Sequence, residues 1–393
     1  MADFNFKKWN LILGWLAFLI AFITYSLTVE PTVSFWDAGE YILTSSKLQV
    51  GHPPGAPFFQ MMGAFFSIFA SEPNQIGLMI NMMSATASAF TILFMFWSIV
   101  LLIKQVVKTD EKYSKGQNTA ILGAAFVGSL SFAFTDSFWF NAVETEVYAM
   151  ATLIMAVLFY LGLRWENEMF TPRGNKWLIL ISFVVGLSFG VHFMGLLTIP
   201  AIALIYFFKN YKTVTIKNFI LANVAGVAIL LFVFKLLAPN ILRYFSALEI
   251  FFVNSVGLPF NSGSIIALIL LVGFIYWGLN YTRKRGYIHL NTGLLCITFI
   301  VIGFSSWLML PIRANANVTV NENNPSSARE LLAYYNLEQY PKTHLFYGPQ
   351  FTNQYVGLDE NQPYIDDKPK YEKDKARFFS IMEVNGTVKR GVV

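Results

Sequence analysis

The stretch from Leu11 to Val29 is nineteen uncharged, mostly apolar residues, preceded by Lys7 and Lys8. As a helix it would be about 28 Å long at the α-helical rise, which matches the hydrocarbon core of a bilayer. It is longer than the apolar region of a secretory signal and no A-x-A-like site follows it, so it reads as a retained span. Windows of about 19 residues pick out further apolar runs at 76–103, 119–135, 143–163, 177–192, 194–208, 219–237, 264–281 and 290–310. The pattern predicts an all-α polytopic helical bundle of about nine transmembrane helices. Residues 56–70, "APFFQMMGAFFSIFA", are apolar but only fifteen long. They are expected to lie at the interface as a juxtamembrane or re-entrant helix within one long outer loop, 30–75.

The polar connections between runs alternate in basicity. Lys104, Lys108, Lys112 and Lys115 occupy one, Arg164, Arg173 and Lys176 the next basic one, then Lys209, Lys212 and Lys217, then Arg283, Lys284 and Arg285. Short Lys- and Arg-rich loops stay cytoplasmic. The amino terminus is therefore expected inside, with residues 1–310 forming the membrane domain and 311–393 a polar extracytoplasmic tail.

Composition agrees with this picture and narrows it. Hydrophobic residues make up 55% of the chain, charged residues 13%, and Phe alone 39 positions, too apolar for an ordinary soluble domain. The formal charge of +5 is accounted for by the basic loops, so it does not argue for a nucleic-acid partner. Cys296 is the single cysteine, which excludes an intrachain disulfide, and nothing in the sequence suggests a Cys-based metal site.

Sorting the remaining polar residues by side places Asp37, Glu40, His52, Glu144, Glu146, His192, Arg243, Glu249 and Arg313 on the outer face. Ionisable groups at membrane depth are costly and usually face a cavity or a partner, so a same-side set is a candidate site. Local readings stand beside it. Asp37-Ala38-Gly39-Glu40 has the form of a capping box that would start a helix through about Val50. "GHPPGAP" at 51–57 reads as a proline-fixed turn. Glu144 and Glu146, if helical, would point in nearly opposite directions.

Five segments, "FWDAGEY", "GHPPGAPFF", "NAVETEVYAM", "GVHFMGLLTIP" and "PIRANANVTVNENNPSSARELLAYYNLEQY", follow one another in this chain. Their order and spacing resemble a bacterial membrane family, common in Bacteroidota, that is similar to the protein O-mannosyltransferases. The resemblance runs from about Trp9 to Phe351. It implies a branch of the GT-C glycosyltransferases, with a GT-C-like fold, acting at the bacterial inner (cytoplasmic) membrane with the site facing the periplasm. Members of that family continue well past residue 393, so the chain is expected to be a fragment or a reduced form.

The resemblance implies transfer of a sugar, mannose by family habit, from a polyprenyl-phosphate donor to an acceptor hydroxyl on protein Ser/Thr or a glycan. Asp37 matches the family's essential acid of the first outer loop and is the expected general base, with Glu40 beside it. The departing phosphate needs cations or hydrogen-bond donors. Arg313 and Arg243 are the outer cations, and His52, His192, Glu144 and Glu146 complete the expected substrate-binding set. Asp37 with Glu40 could alternatively hold a divalent metal through oxygen ligands. The sequence does not require one, and the cofactor is left open. Two other classes stand beside the enzyme. A transporter or flippase of lipid-linked sugars would need ionisable groups near the midplane, where these runs carry almost none. A scaffold would use the polar tail.

Overall fold

A computed structural model describes residues 4–107, 113–341, 370–374, 377–384 and 387–392. Lys108, Lys112 and the end of the family resemblance, 342–351, lie outside the described residues. The helices in chain order are α1 (Phe6–Thr28), α2 (Ala38–Ser46), α3 (Pro57–Ser67), α4 (Ile76–Val106), α5 (Lys115–Ala133), α6 (Asp136–Ala142), α7 (Val147–Glu168) and α8 (Asn175–Ser188). They continue with α9 (Thr198–Asn210), α10 (Ile216–Leu231), α11 (Ala238–Ile250), α12 (Ser262–Lys284), α13 (Ile288–Phe304), α14 (Met309–Asn315) and α15 (Ala328–Tyr335). Short 3-10 turns lead into α4, α9 and α14. Strands β1 (Lys370–Asp374), β2 (Arg377–Val384) and β3 (Thr387–Val392) pair as an antiparallel meander near the end of the chain.

The molecule is an all-α polytopic membrane protein apart from that meander. Among the described residues, seven helical segments are long and apolar enough to cross a bilayer: Phe6–Thr28, Pro73–Val106, Val147–Glu168, Phe193–Asn210, Ile216–Ser255, Ser262–Lys284 and Ile288–Asn315. α5 and α6 form a pair bent by 69° that makes an eighth if taken as one span. The ninth expected run is α8, whose 14 residues cover about 21 Å. α3 is shorter still, 11 residues or about 16 Å, too short to cross.

The chain forms two compact units. The first comprises Met1–Gly51, Gly55–Ala238 and Gly278–Asn321. Here α1 packs on α4 and α5 through small residues, Ala17, Ala21, Ala85, Ala89 and Ala133, all fully buried. Between membrane helices, close backbone approach replaces the hydrophobic effect as the source of attraction. The Tyr25 hydroxyl, buried among them, donates to the Ala133 carbonyl at 2.8 Å. α8 and α13 touch backbone to backbone. A Cβ on Gly186 would sit 2.2 Å from the Ile300 carbonyl oxygen, and one on Gly303 2.3 Å from that of Phe183.

Polar contacts mark the two ends of this unit. At one end, Glu168 pairs with Arg164 at 3.0 Å and Lys176 at 2.7 Å, Lys209 approaches Glu166 at 3.7 Å, and Gln105 donates to Glu166. These contacts gather the end of α4, the end of α7, the start of α8 and the end of α9, which are the basic connections of the sequence. The opposite end carries the 30–51 loop, the start of α7, the turn after α8 and the residues after α13.

The second unit comprises His52–Pro54, Pro239–Trp277 and Glu322–Val393. The buried Glu249 carboxylate accepts from the Asn261 amide at 2.6 Å, the Ser264 amide at 2.7 Å and the Ser264 hydroxyl at 3.0 Å. It therefore caps the start of α12. α15 begins in a full capping box between Ser327 and Glu330. Pro311–Asn321, read from sequence as the start of the tail, belongs to the first unit.

The alternation of ends is tested by labelling single cysteines at exposed positions in a Cys296→Ser background. Ser71→Cys should react with a membrane-impermeant maleimide applied from outside, and Lys115→Cys only after permeabilisation. The reverse pattern would overturn the orientation.

Candidate active site

The foundation of the site is a buried amide in the first turns of α4. Asn81 has no solvent exposure. Its Nδ2 donates to the carbonyls of Glu30 at 2.7 Å and Thr32 at 3.0 Å. Its Oδ1 accepts from the Thr145 hydroxyl. The Glu30 amide in turn donates to the Val143 carbonyl at 2.9 Å. One side chain thus staples the start of the 30–37 loop to the turn before α7.

That turn corrects an expectation. Residues 143–146 are not helical, and α7 starts at Val147, so Glu144 and Glu146 are not held apart by helical geometry. Both are buried, at 4% and 7% exposure. The Glu146 carboxylate accepts from the backbone amides of Asp37 and Val147. Burial raises its pKa from the ordinary 4.5 to about 7, with the Asp37 and Glu144 charges adding and the two amide bonds opposing. Burial and the Glu30 charge raise Glu144 as well.

Asp37 stands at the cap position of α2, exposed, with no side-chain capping bond. The capping box read from D-x-x-E is therefore not formed, for a physical reason. The amide that Glu40 would reach back to is held by Glu146. α2 also stops at Ser46, short of the expected Val50. The Glu40 side chain lies instead against Gly51, where a Cβ would come within 2.7 Å of its Oε1, with Gln60 Nε2 3.4 Å from the same point. Before Asp37, Trp36 adopts φ +63°, and Phe35 and Trp36 are more than four-fifths exposed.

Tyr41 collects these acids. Its ring packs edge-on to Phe59 at 5.2 Å. Burial raises its phenol pKa, and the charges of Glu146, Asp37 and Glu40 raise it further. The sequence reading missed Tyr41, although it closes the "FWDAGEY" motif, and it missed Asn81. A lone amide inside the apolar run "LMINMMSA" was the available signal for Asn81.

His192 lies in the turn after α8, half-buried, with its Nδ1 accepting from the Met194 amide at 3.1 Å. Nδ1 as acceptor puts the proton of the neutral ring on Nε2, and burial lowers the imidazole pKa. Its ring centre lies 5.4 Å from that of Tyr148, which also contributes to the field at Tyr41. The preceding turn is tied to α3. Both the Phe58 and Phe59 amides donate to the Gly190 carbonyl, at 2.8 and 3.0 Å. A Cβ on Gly190 would fall 2.6 Å from Ser306 Oγ and 2.7 Å from Phe58 Cβ, so only glycine fits that crossing.

Arg313 is engaged at the far end of α2. Its Nε donates to the Leu48 carbonyl at 2.6 Å and its Nη2 to that of Lys47 at 3.1 Å. The nine residues of α2 put these carbonyls about 14 Å along the helix from Asp37. The structure thus brings Asp37, Glu40, Glu144, Glu146 and His192 to one end of the first unit, with Arg313 bracing α2 from its other terminus. His52 and Arg243 belong to the second unit. There His52 is half-buried beside the cis Pro53–Pro54 peptide, and Arg243 is exposed on α11 with its Nη1 3.2 Å from Asn240 Oδ1. Among the described residues no three His, Cys, Asp or Glu side chains form a metal-holding group.

Two measurements check this geometry. Asn81→Ala leaves buried carbonyls and a hydroxyl unpaired, each costing about 1–3 kcal/mol. Amide exchange should accelerate across 30–40 and 143–147 and stay unchanged in α12. For Glu146, the raised pKa means that the folded state binds more protons than the unfolded state between about pH 4.5 and 7. Stability should then fall as pH rises through that window. Glu146→Gln should flatten this part of the pH profile measured by thermal unfolding in detergent.

Residues 37–215 match the family described as the protein O-mannosyl-transferase TMEM260 N-terminal domain. The chain is 27% identical over 197 residues to the protein O-mannosyl-transferase tmem260 of Dictyostelium discoideum, covering 47% of this chain and 22% of that protein. It is 25% identical over 167 residues to protein O-mannosyl-transferase TMEM260 of Mus musculus, covering 42% and 21%. The aligned region therefore spans about a fifth of each of these relatives. No solved structure matches the chain. The family match begins at Asp37 and takes in α2, Asn81, the Glu144–Glu146 turn and His192, together with the basic connections at the opposite ends of α4, α7 and α9.

Proposed function

We propose that the protein is a membrane glycosyltransferase of GT-C type that moves a sugar, mannose in the first instance, from a polyprenyl-phosphate carrier to a Ser or Thr hydroxyl of a protein. The reading places the protein in the bacterial inner membrane and the reaction at its periplasmic face. The observation that carries it is Asp37: an exposed carboxylate at the cap position of α2, on a backbone fixed from behind by Glu146, at the end of a membrane bundle. The names of the similar proteins support the reaction class.

In this mechanism the acceptor oxygen attacks the anomeric carbon while Asp37 takes its proton. The bond from that carbon to the phosphate oxygen breaks, and its electron pair leaves with the lipid phosphate. Hydrogen-bond donors stabilise that charge, and the Nε2–H of neutral His192 is the candidate in the first unit. Glu146 holds the Asp37 amide, so it sets where the base stands without touching the acceptor. Glu40, turned toward Gly51 and Gln60, shapes the floor. Arg313 anchors α2 through the Lys47 and Leu48 carbonyls, a positioning role beside the phosphate clamp expected from sequence. His52 and Arg243 remain substrate-binding candidates of the second unit.

Asp37→Asn keeps the shape of the side chain and removes its basicity. Transfer from polyprenyl-phosphate mannose to a Ser/Thr peptide should fall by roughly two to four orders of magnitude, with amide exchange of α2 unchanged. Glu40→Gln should cost less. Parent-level transfer by Asp37→Asn would remove Asp37 from the chemistry.

A further inference from the structure

A cavity of about 720 Å³ lies within the first unit, away from the acid cluster. Its walls come from α7 (Trp165), α8 (Ile181, Val185), α9 (Ile202, Tyr206), α10 and α13 (Cys296, Ile300), and they are almost wholly apolar. It extends from Asn218 at the start of α10 to Val233 just past its end, about 22 Å of helix and more than half of a ~30 Å hydrocarbon core. Leu221 and Ile229 line it while remaining about half exposed, at 55% and 48%, so the cleft is open sideways along α10, toward the bilayer.

The mouth of the cleft is chemically unlike its walls. Tyr211 and Asn218 line it there, with Lys212 in the connection between α9 and α10 and Lys217 in the first turn of α10, both exposed. Neither lysine makes an ion pair among the described residues, whereas neighbouring Lys209 is held near Glu166. The same connection leads into the amino terminus of α10, capped by Thr215 through the Asn218 amide at 3.2 Å, where the helix dipole favours an anion. A long apolar slot with two uncommitted cations and a helix start at its rim has the form of a phospholipid: hydrocarbon in the slot, negative headgroup at the rim.

We propose that this cleft is a binding site for an anionic phospholipid, held by one acyl chain between α8, α9, α10 and α13 and by its headgroup at Lys212 and Lys217. The site lies at the end of the bundle that carries the basic connections, so its lipid comes from the leaflet opposite the Asp37 end. It does not depend on the transferase reading.

Trp165 lines the cleft and reports on it. The protein is reconstituted with brominated-chain phosphatidylglycerol or brominated-chain phosphatidylcholine, and quenching of Trp165 is taken as the difference between the parent and Trp165→Phe. Phosphatidylglycerol should quench at about thirtyfold lower mole fraction, the scale set by two lysines near an anionic headgroup. Lys212→Glu with Lys217→Glu should abolish that preference. Native mass spectrometry provides a second readout that needs no tryptophan change: the parent should retain phosphatidylglycerol on release from the micelle, and the double variant should not. Equal quenching by both lipids would show a groove filled by bulk lipid. Absence of Trp165-specific quenching, or retention of a polyprenyl phosphate in place of phospholipid, would equally overturn the proposal.

Discussion

A polar loop lying against a bilayer has no water beneath it, so its backbone must be satisfied by protein. Asn81 meets that requirement at the point where the loop leaves α1. Its amide takes two loop carbonyls and its oxygen takes Thr145, which brings together two segments more than a hundred residues apart. Both acid-bearing stretches run outward from this staple, one to Asp37 and the other to Glu146. They meet again when Glu146 accepts the Asp37 amide. The location of the exposed carboxylate is thus decided inside the membrane bundle, two contacts away from the carboxylate itself.

Much of the bundle is legible in the sequence because the bilayer imposes a length and a polarity on each crossing. The apolar runs, the alternation of basic loops and the short interfacial α3 all follow from that rule. The rule says nothing about helices that do not cross. The expected run 177–192 gives up helix at its carboxyl end, after Ser188, where Gly190 receives the α3 amides and chain geometry is set by that docking. The bend between α5 and α6 falls at the end of the expected run 119–135, and α6 lies between that run and the next.

The site was legible as a set of residue types on one face and illegible as a set of partners. D-x-x-E names a local bond from Glu40 to the Asp37 amide. The protein gives that amide to a carboxylate 109 positions further on, because Glu146 is already fixed by the Asn81 staple and by its own place at the start of α7. A buried acid near neutrality results, since the two amide bonds do not fully offset desolvation and the nearby Asp37 and Glu144 charges. Glu40, displaced from the box, occupies the space that Gly51 leaves open. Arg313 read as a phosphate ligand because the basic-loop pattern puts it on the expected outer face. Its bonds to Lys47 and Leu48 show it serving the carboxyl end of α2, where a positive charge also complements the helix dipole.

The bracing of α2 from both ends has a consequence in time. Its amino end is secured by Glu146 and its carboxyl end by Arg313, whose bond to Leu48 closes a separation of 265 residues. Contacts this distant in sequence form late, because the intervening chain must be ordered first. During synthesis α2 is made early, yet it stays without its second anchor until α13 has been inserted and the chain has passed Arg313. A nascent protein interrupted before that point would already possess Asp37, Asn81 and Glu146 and would still lack the Arg313 brace, so α2 is held at both ends only once the last segment of the first unit is in place.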